Sequence, residues 1–126
     1  MERALEAVVW RRARHRCEYC QLEQADSPLA ALHIEHIVPK AHGGTDDPEN
    51  LALACIDCNL HKGPNLTGVD PQTKKITQLF HPRRDKWDEH FKWRGKYLMG
   101  KTAIGRTTIR LLHMNSEEQL SLRFSS

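Results

Sequence analysis

Two Cys-x2-Cys pairs, Cys17 with Cys20 and Cys55 with Cys58, constrain this chain more than any other feature. Their spacing is identical, 34 residues separate them, and no other cysteine is present. Each pair can turn two thiolates toward one ion, and two pairs complete a tetrahedral four-thiolate zinc site. A redox pair is normally single and follows a strand in an alternating α/β pattern, which is absent here. The zinc is expected to be structural, because a closed four-thiolate site keeps no open position for a substrate. It would tie a first helix to the end of a second strand and contribute to folding directly. The staple matters because the core is thin: of 126 residues, 39% are apolar and 28% charged, with a mean hydropathy of −0.65. A chain of this length suits one domain over residues 1–126.

No apolar run approaches the ~20 residues that cross a bilayer. The opening MERALEAVVWRRARHR mixes acids with bases and does not read as a secretory signal. A cytoplasmic setting without membrane partners is the expectation, and in it thiols stay reduced and bind metal.

The net charge of +3 conceals a segregation. Residues 1–16 carry +3, residues 17–70 carry −7, residues 71–112 carry +8, and residues 113–126 carry −1. An acidic centre between basic arms suits a metal-dependent enzyme acting on a polyanion. The plainer reading is that the bases are solvated faces of ordinary elements, so the pattern counts only if the centre carries chemistry.

Residues 2–15 are predicted to form a helix, with Leu5, Val8, Val9 and the Arg12 stem along one stripe. Strands are expected over 29–38, ended by Pro39, and over 50–55, with a Gly43-Gly44 and Asp46-Asp47-Pro48 loop between them. A short helix after the second knuckle should stop at Gly63-Pro64. Further along, 76–80 reads as a strand and 84–90 as a helical turn. Residues 91–99 read as a hairpin about Arg94-Gly95, 102–114 as a helix, and Leu120, Leu122 and Phe124 as a last strand. The fold class is therefore α+β.

The centre reads HIEHIVPKAHGGTDDPENLALACIDCNLHKG over residues 33–63. Its Glu35-His36-Ile37-Val38-Pro39, Gly43-Gly44, Asn50-Leu51 and Cys55-x2-Cys58-Asn59-x2-Lys62-Gly63 resemble the HNH (ββα-metal, His-Me finger) endonucleases. The resemblance covers about residues 17–63, preceded by the helix at 1–16 and followed by a basic C-terminal α/β extension over 64–126. It implies that His36 is the general base that activates the attacking water, a task suited to an imidazole. It implies that Glu35 and Asn59 hold one divalent cation against the scissile phosphate. The family usually has Asp in place of Glu35, and often His in place of Asn59; oxygen donors at both favour Mg2+ or Mn2+ over zinc. Asn59 also suits the cap of the helix after Cys58. Asn50 would brace the loop or orient His36, and Lys62 would contact a phosphate near the cut. His33, two residues before Glu35, is a further candidate ligand; His61 lies off the ligand positions.

Lys40, Arg83 and Arg84 are further candidate contacts to nucleic acid, in line with the basic runs at 74–75, 83–87 and 94–101. Trp87, Trp93 and Tyr97 are interleaved with those bases; their spacing fits core packing more simply than stacking on bases. The function expected is hydrolysis of phosphodiester bonds in DNA, most simply double-stranded. The rival readings are a non-catalytic zinc-knuckle module that binds nucleic acid and an HNH nuclease directed at RNA.

Overall fold

The computed structural model describes residues 1–123. In chain order it contains α1 (Arg3–Arg12), β1 (His33–His36), β2 (Leu51–Ala54), α2 (Ile56–Lys62), β3 (Thr67–Val69) and β4 (Ile76–Gln78). There follow α3 (Trp87–His90), β5 (Phe91–Arg94), β6 (Tyr97–Gly100), α4 (Ala103–Leu111) and α5 (Glu117–Leu122). The strands form three separate antiparallel pairs, β1 with β2, β3 with β4 and β5 with β6. The α+β class is as expected, and β1, β2 and α2 make the ββα unit. No helix among the described residues is long and apolar enough to cross a membrane.

The β1–β2 register runs from His33 opposite Ala54 to His36 opposite Leu51. Leu51-Ala52-Leu53-Ala54 is buried throughout, so β2 is the central strand of the molecule. α1 packs over it, and the Arg12 guanidinium donates to the Leu51 carbonyl at 2.7 Å. Val8 stands outside the α1 stripe at 42% exposure; the inward face is Leu5, Val9, the Arg12 stem and Ala13, a steeper diagonal than the one expected. Around this centre the core gathers Tyr19, Phe80, Phe91, Leu98, Leu112, Met114 and the four cysteines.

Four local expectations give way to other structure. β1 begins at His33 rather than residue 29, because the Gln24 side chain accepts from the Leu32 amide at 2.8 Å and donates to Ala30, holding 27–32 as a loop. β3 was hidden by its length of three residues and by Gly68, whose missing Cβ leaves room for Thr107 of α4. The expected last strand is α5: Ser116 caps it by accepting from the Gln119 amide at 3.2 Å, and Leu120 and Leu122 lie in it, whereas Phe124 is outside the described residues. Trp93 and Tyr97 remain 39% and 48% exposed, so the aromatic core is built by Tyr19, Phe80 and Phe91 in edge-to-face contact instead.

The basic extension is tied to the centre by polar contacts. Trp87 Nε1 donates to the Tyr19 carbonyl at 2.8 Å, and the Phe80 amide donates to Thr108 Oγ1 at 2.9 Å. Asp70, fully buried at the end of β3, accepts both arms of Arg106 from α4 at 3.0 and 2.9 Å.

Candidate active site and metal centre

The two knuckles bring their sulfurs together in a buried cluster, with all four Sγ atoms within 4.8 Å of one another. Cys20 Sγ and Cys55 Sγ are 3.7 Å apart, close to the ~3.8 Å edge of a tetrahedron with Zn–S bonds of about 2.3 Å. Each knuckle is closed by an amide donating to sulfur, Cys20 N to Cys17 Sγ and Cys58 N to Cys55 Sγ. Cys55 thereby caps α2, the role the sequence offered to Asn59, which sits inside the helix. Burial pushes the Cys17 thiol up, while hydrogen bonds from the other three sulfurs hold Cys55 far below the ordinary thiol range. Four buried sulfurs gathered this closely are a fit donor set for a divalent cation such as zinc. The fully buried Gln119 of α5 donates through Nε2 to Cys55 Sγ at 3.3 Å, a partner for which the sequence held no signal.

Glu35 and His36, neighbours on β1, point to opposite faces of the strand. Glu35 is buried: Tyr19 Oη donates to one carboxylate oxygen, and Lys62 Nζ is 3.2 Å from the other. Burial raises the Glu35 carboxyl, opposed first by the Lys62 charge and then by the Tyr19 hydrogen bond. Lys62 also donates to the Ile37 carbonyl at 2.9 Å and is 2% exposed. It is therefore not the surface lysine expected to touch a phosphate. Its stem crosses from α2 to β1, and its ammonium places a cation on Glu35. One turn earlier on α2, the half-buried Asn59 side chain has no hydrogen bond among the described residues. Both Glu35 oxygens are thus engaged within the protein, and Lys62 supplies the positive charge that a divalent ion would otherwise bring.

His36 faces the long β1–β2 connection. Its Nε2 lies 2.7 Å from Asp46 Oδ1, with Lys40 Nζ 3.9 Å from the same oxygen. The His36 hydrogen bond, followed by the Lys40 charge, holds the Asp46 carboxyl below its usual range. An ionised carboxylate can only accept, so Nε2 is the donor of this bond, and in the neutral ring the Nδ1 lone pair is left for other chemistry. Asp46 was missed because Asp46-Asp47-Pro48 reads simply as a turn. The Asn50 side chain accepts from the Val38 amide at 2.8 Å and donates to the carbonyls of Val38 and Thr45, fixing the connection that carries Asp46.

The remaining candidate bases separate. Arg83 is also corrected from a phosphate contact to a structural one: its side chain is 9% exposed and paired with Glu18, and Glu18 in turn accepts from the Leu53 amide at 2.8 Å. Burial pushes the Arg83 guanidinium down to about 10. Lys40 and Arg84 are exposed, as is His33. His61 stacks on His113, with ring centroids 4.1 Å apart.

Residues 17–65 match the HNH endonuclease family. The four-cysteine centre is the part of the chain that is similar to an HNH domain. The chain is also 28% identical over 108 residues to the Septu protein PtuB of Bacillus thuringiensis. That match covers 84% of this chain and 39% of PtuB, so the chain spans about two fifths of the length of that relative. No solved structure matches. HNH domains act on nucleic acids, and the family implies nuclease-type chemistry supported by a divalent metal.

Proposed function

We propose that this chain hydrolyses phosphodiester bonds in double-stranded DNA, with His36 as general base. The observation that carries the reading is the His36–Asp46 pair at 2.7 Å on the rim of the HNH domain. Asp46 fixes the ring and its tautomer, so that Nδ1 can take a proton from water attacking a phosphorus, the arrangement of base and orienting group that hydrolases share. Protonation of Nδ1 then creates an imidazolium that the Asp46 carboxylate stabilises. A divalent ion, Mg2+ or Mn2+, held by Glu35 and Asn59 would neutralise the scissile phosphate and stabilise the leaving 3′ oxygen. Lys62 keeps Glu35 paired and aligned until that ion is bound. Asn50 holds the connection on which Asp46 rides, and zinc on the four cysteines holds α2 against β2. Lys40, beside Asp46, is available to a strand entering the rim.

The test is plasmid cleavage with and without Mg2+ or Mn2+. The parent should nick or linearise DNA only with a divalent ion, and His36→Ala should stop cutting while keeping its zinc and its thermal transition. Asp46→Asn should lower the rate by about 10²-fold or more. A His36→Ala protein that cuts as fast as the parent would end this reading, and a parent inert on DNA but active on RNA would redirect it to that polymer.

A further inference from the structure

A cavity of about 180 Å3 opens beside the HNH site. Ile37 and Val38, the two residues after His36, form one wall, and Lys62 is part of its lining. The turn after β4 also lines it, through His81, Arg84 and Asp85. This turn is internally tied: Asp85 Oδ2 accepts from the His81 amide at 2.9 Å, and the Asp85 amide donates to the His81 carbonyl at 2.8 Å.

The His81 ring is fixed in an informative way. Its Nδ1 accepts from the backbone amides of Arg83 and Arg84, each at 3.2 Å. Amides only donate, so Nδ1 carries no proton, and the neutral ring has its single N–H on Nε2. Burial and the neighbouring Arg84 charge push the His81 imidazolium down, which favours this neutral form. Nε2–H has no partner among the described residues, and neither has the exposed Arg84 guanidinium. A turn that needed only closing would be served by Asn, Asp or Ser. An imidazole closes it and also keeps a second, donating nitrogen on a residue that lines the cavity.

We infer that His81 and Arg84 form a subsite for a non-scissile phosphate of the nucleic-acid strand, next to the His36 centre. The inference rests on the DNA-cleaving reading and adds to it the group that fixes the strand's register. His81 donates one neutral hydrogen bond to a phosphate oxygen, and Arg84 supplies the charge. No proton is transferred, so His81 positions substrate and takes no part in bond breaking.

The two contacts have different signatures. Removing a cation that neutralises one phosphate reduces the salt dependence of binding by about one unit of log K per log salt. Removing a neutral donor weakens binding without changing that slope. The experiment uses the zinc-loaded chain of residues 1–126 and a labelled duplex of about 20 base pairs, a length exceeding the site, with anisotropy read from about 50 to about 200 mM salt and no added Mg2+ or Mn2+. Ser is chosen at 81 because its hydroxyl can still accept from the turn amides. His81→Ser should weaken binding about tenfold with an unchanged slope, whereas Arg84→Ala should weaken it and lower the slope by about one. Ring nitrogen shifts in NMR should identify His81 as the Nε2–H tautomer in the free protein and move when duplex is added. A parent that binds, with both variants matching it in affinity and slope, overturns the subsite alone. A parent that binds no duplex overturns the DNA reading and the subsite with it. Should His81→Ser fail to fold, Arg84→Ala, altered only at an exposed side chain, decides the matter.

Discussion

Gln119 Nε2 lies 3.3 Å from Cys55 Sγ, although 64 residues separate the two in the chain. Helix α5 is therefore part of the four-cysteine cluster. An N–H aimed at a thiolate disperses negative charge where four sulfurs meet out of water, and such outer partners typically change metal affinity by about 10–100-fold. Gln119→Leu should keep the apolar seal but lower zinc affinity by about tenfold. Competition with a chromophoric chelator measures this; an unchanged affinity would make Gln119 a packing residue.

Lys62 and Glu35 form a buried ion pair, with side-chain exposures of 2% and 6%. Removing one partner of such a pair leaves an uncompensated charge and costs about 3–5 kcal/mol. Lys62→Met should thus lower the free energy of unfolding by about 3 kcal/mol in metal-free buffer. If the carboxylate also receives the divalent ion, Mn2+ should raise the melting temperature of Lys62→Met more than that of the parent. Equal shifts in the two proteins would separate Glu35 from the cation.

What the sequence disclosed and what it concealed divide along a physical line. The clustering of the four cysteines and the β1–β2–α2 order were legible because their spacing is local and their chemistry narrow. The neighbours were not. Tyr19 reaches Glu35 across 16 residues, Lys62 reaches Ile37 across 25, and Gln119 reaches the thiols across more than 60. None of these side chains differs in type from an ordinary surface or core residue, so only folding reveals the partner. The same holds for Arg83: basic runs look alike in sequence, and burial against Glu18 is what removes this guanidinium from the surface.

The Asp70–Arg106 pair predicts the acid limb of stability. Hydrogen bonds from Arg106 hold the Asp70 carboxyl well below the usual carboxylate range. A carboxyl depressed by folding contributes stability that is complete above its unfolded pKa of about 3.9 and is lost as pH falls toward the folded value. Asp70→Asn should therefore melt below the parent at pH 7, with the gap narrowing as pH drops under about 4. A gap that is constant from neutral to acid pH would show that the charge of Asp70 contributes nothing.

Gly44 sets the geometry of the His36–Asp46 pair from outside it. A Cβ at this position would stand 1.6 Å from the Val38 carbonyl oxygen, because the Gly44 amide donates to Pro39 at 3.0 Å and draws the connection against the end of β1. Gly43 is next to it with φ +85, and a Cβ there meets nothing within 4 Å. The two glycines thus separate two kinds of cost. Gly43→Ala adds only left-handed backbone strain of about 1–2 kcal/mol and leaves the path of the chain intact. Gly44→Ala forces two backbone segments apart, costs about 2 kcal/mol or more, and displaces Asp46, two residues on. Zinc content should be unchanged in both, since an added Cβ meets no cysteine at either position. Gly44→Ala should lose cleavage far out of proportion to its stability, whereas Gly43→Ala should cut nearly as the parent does. Equal cleavage by the two variants at a temperature where both are folded would mean that the position of Asp46 does not govern His36.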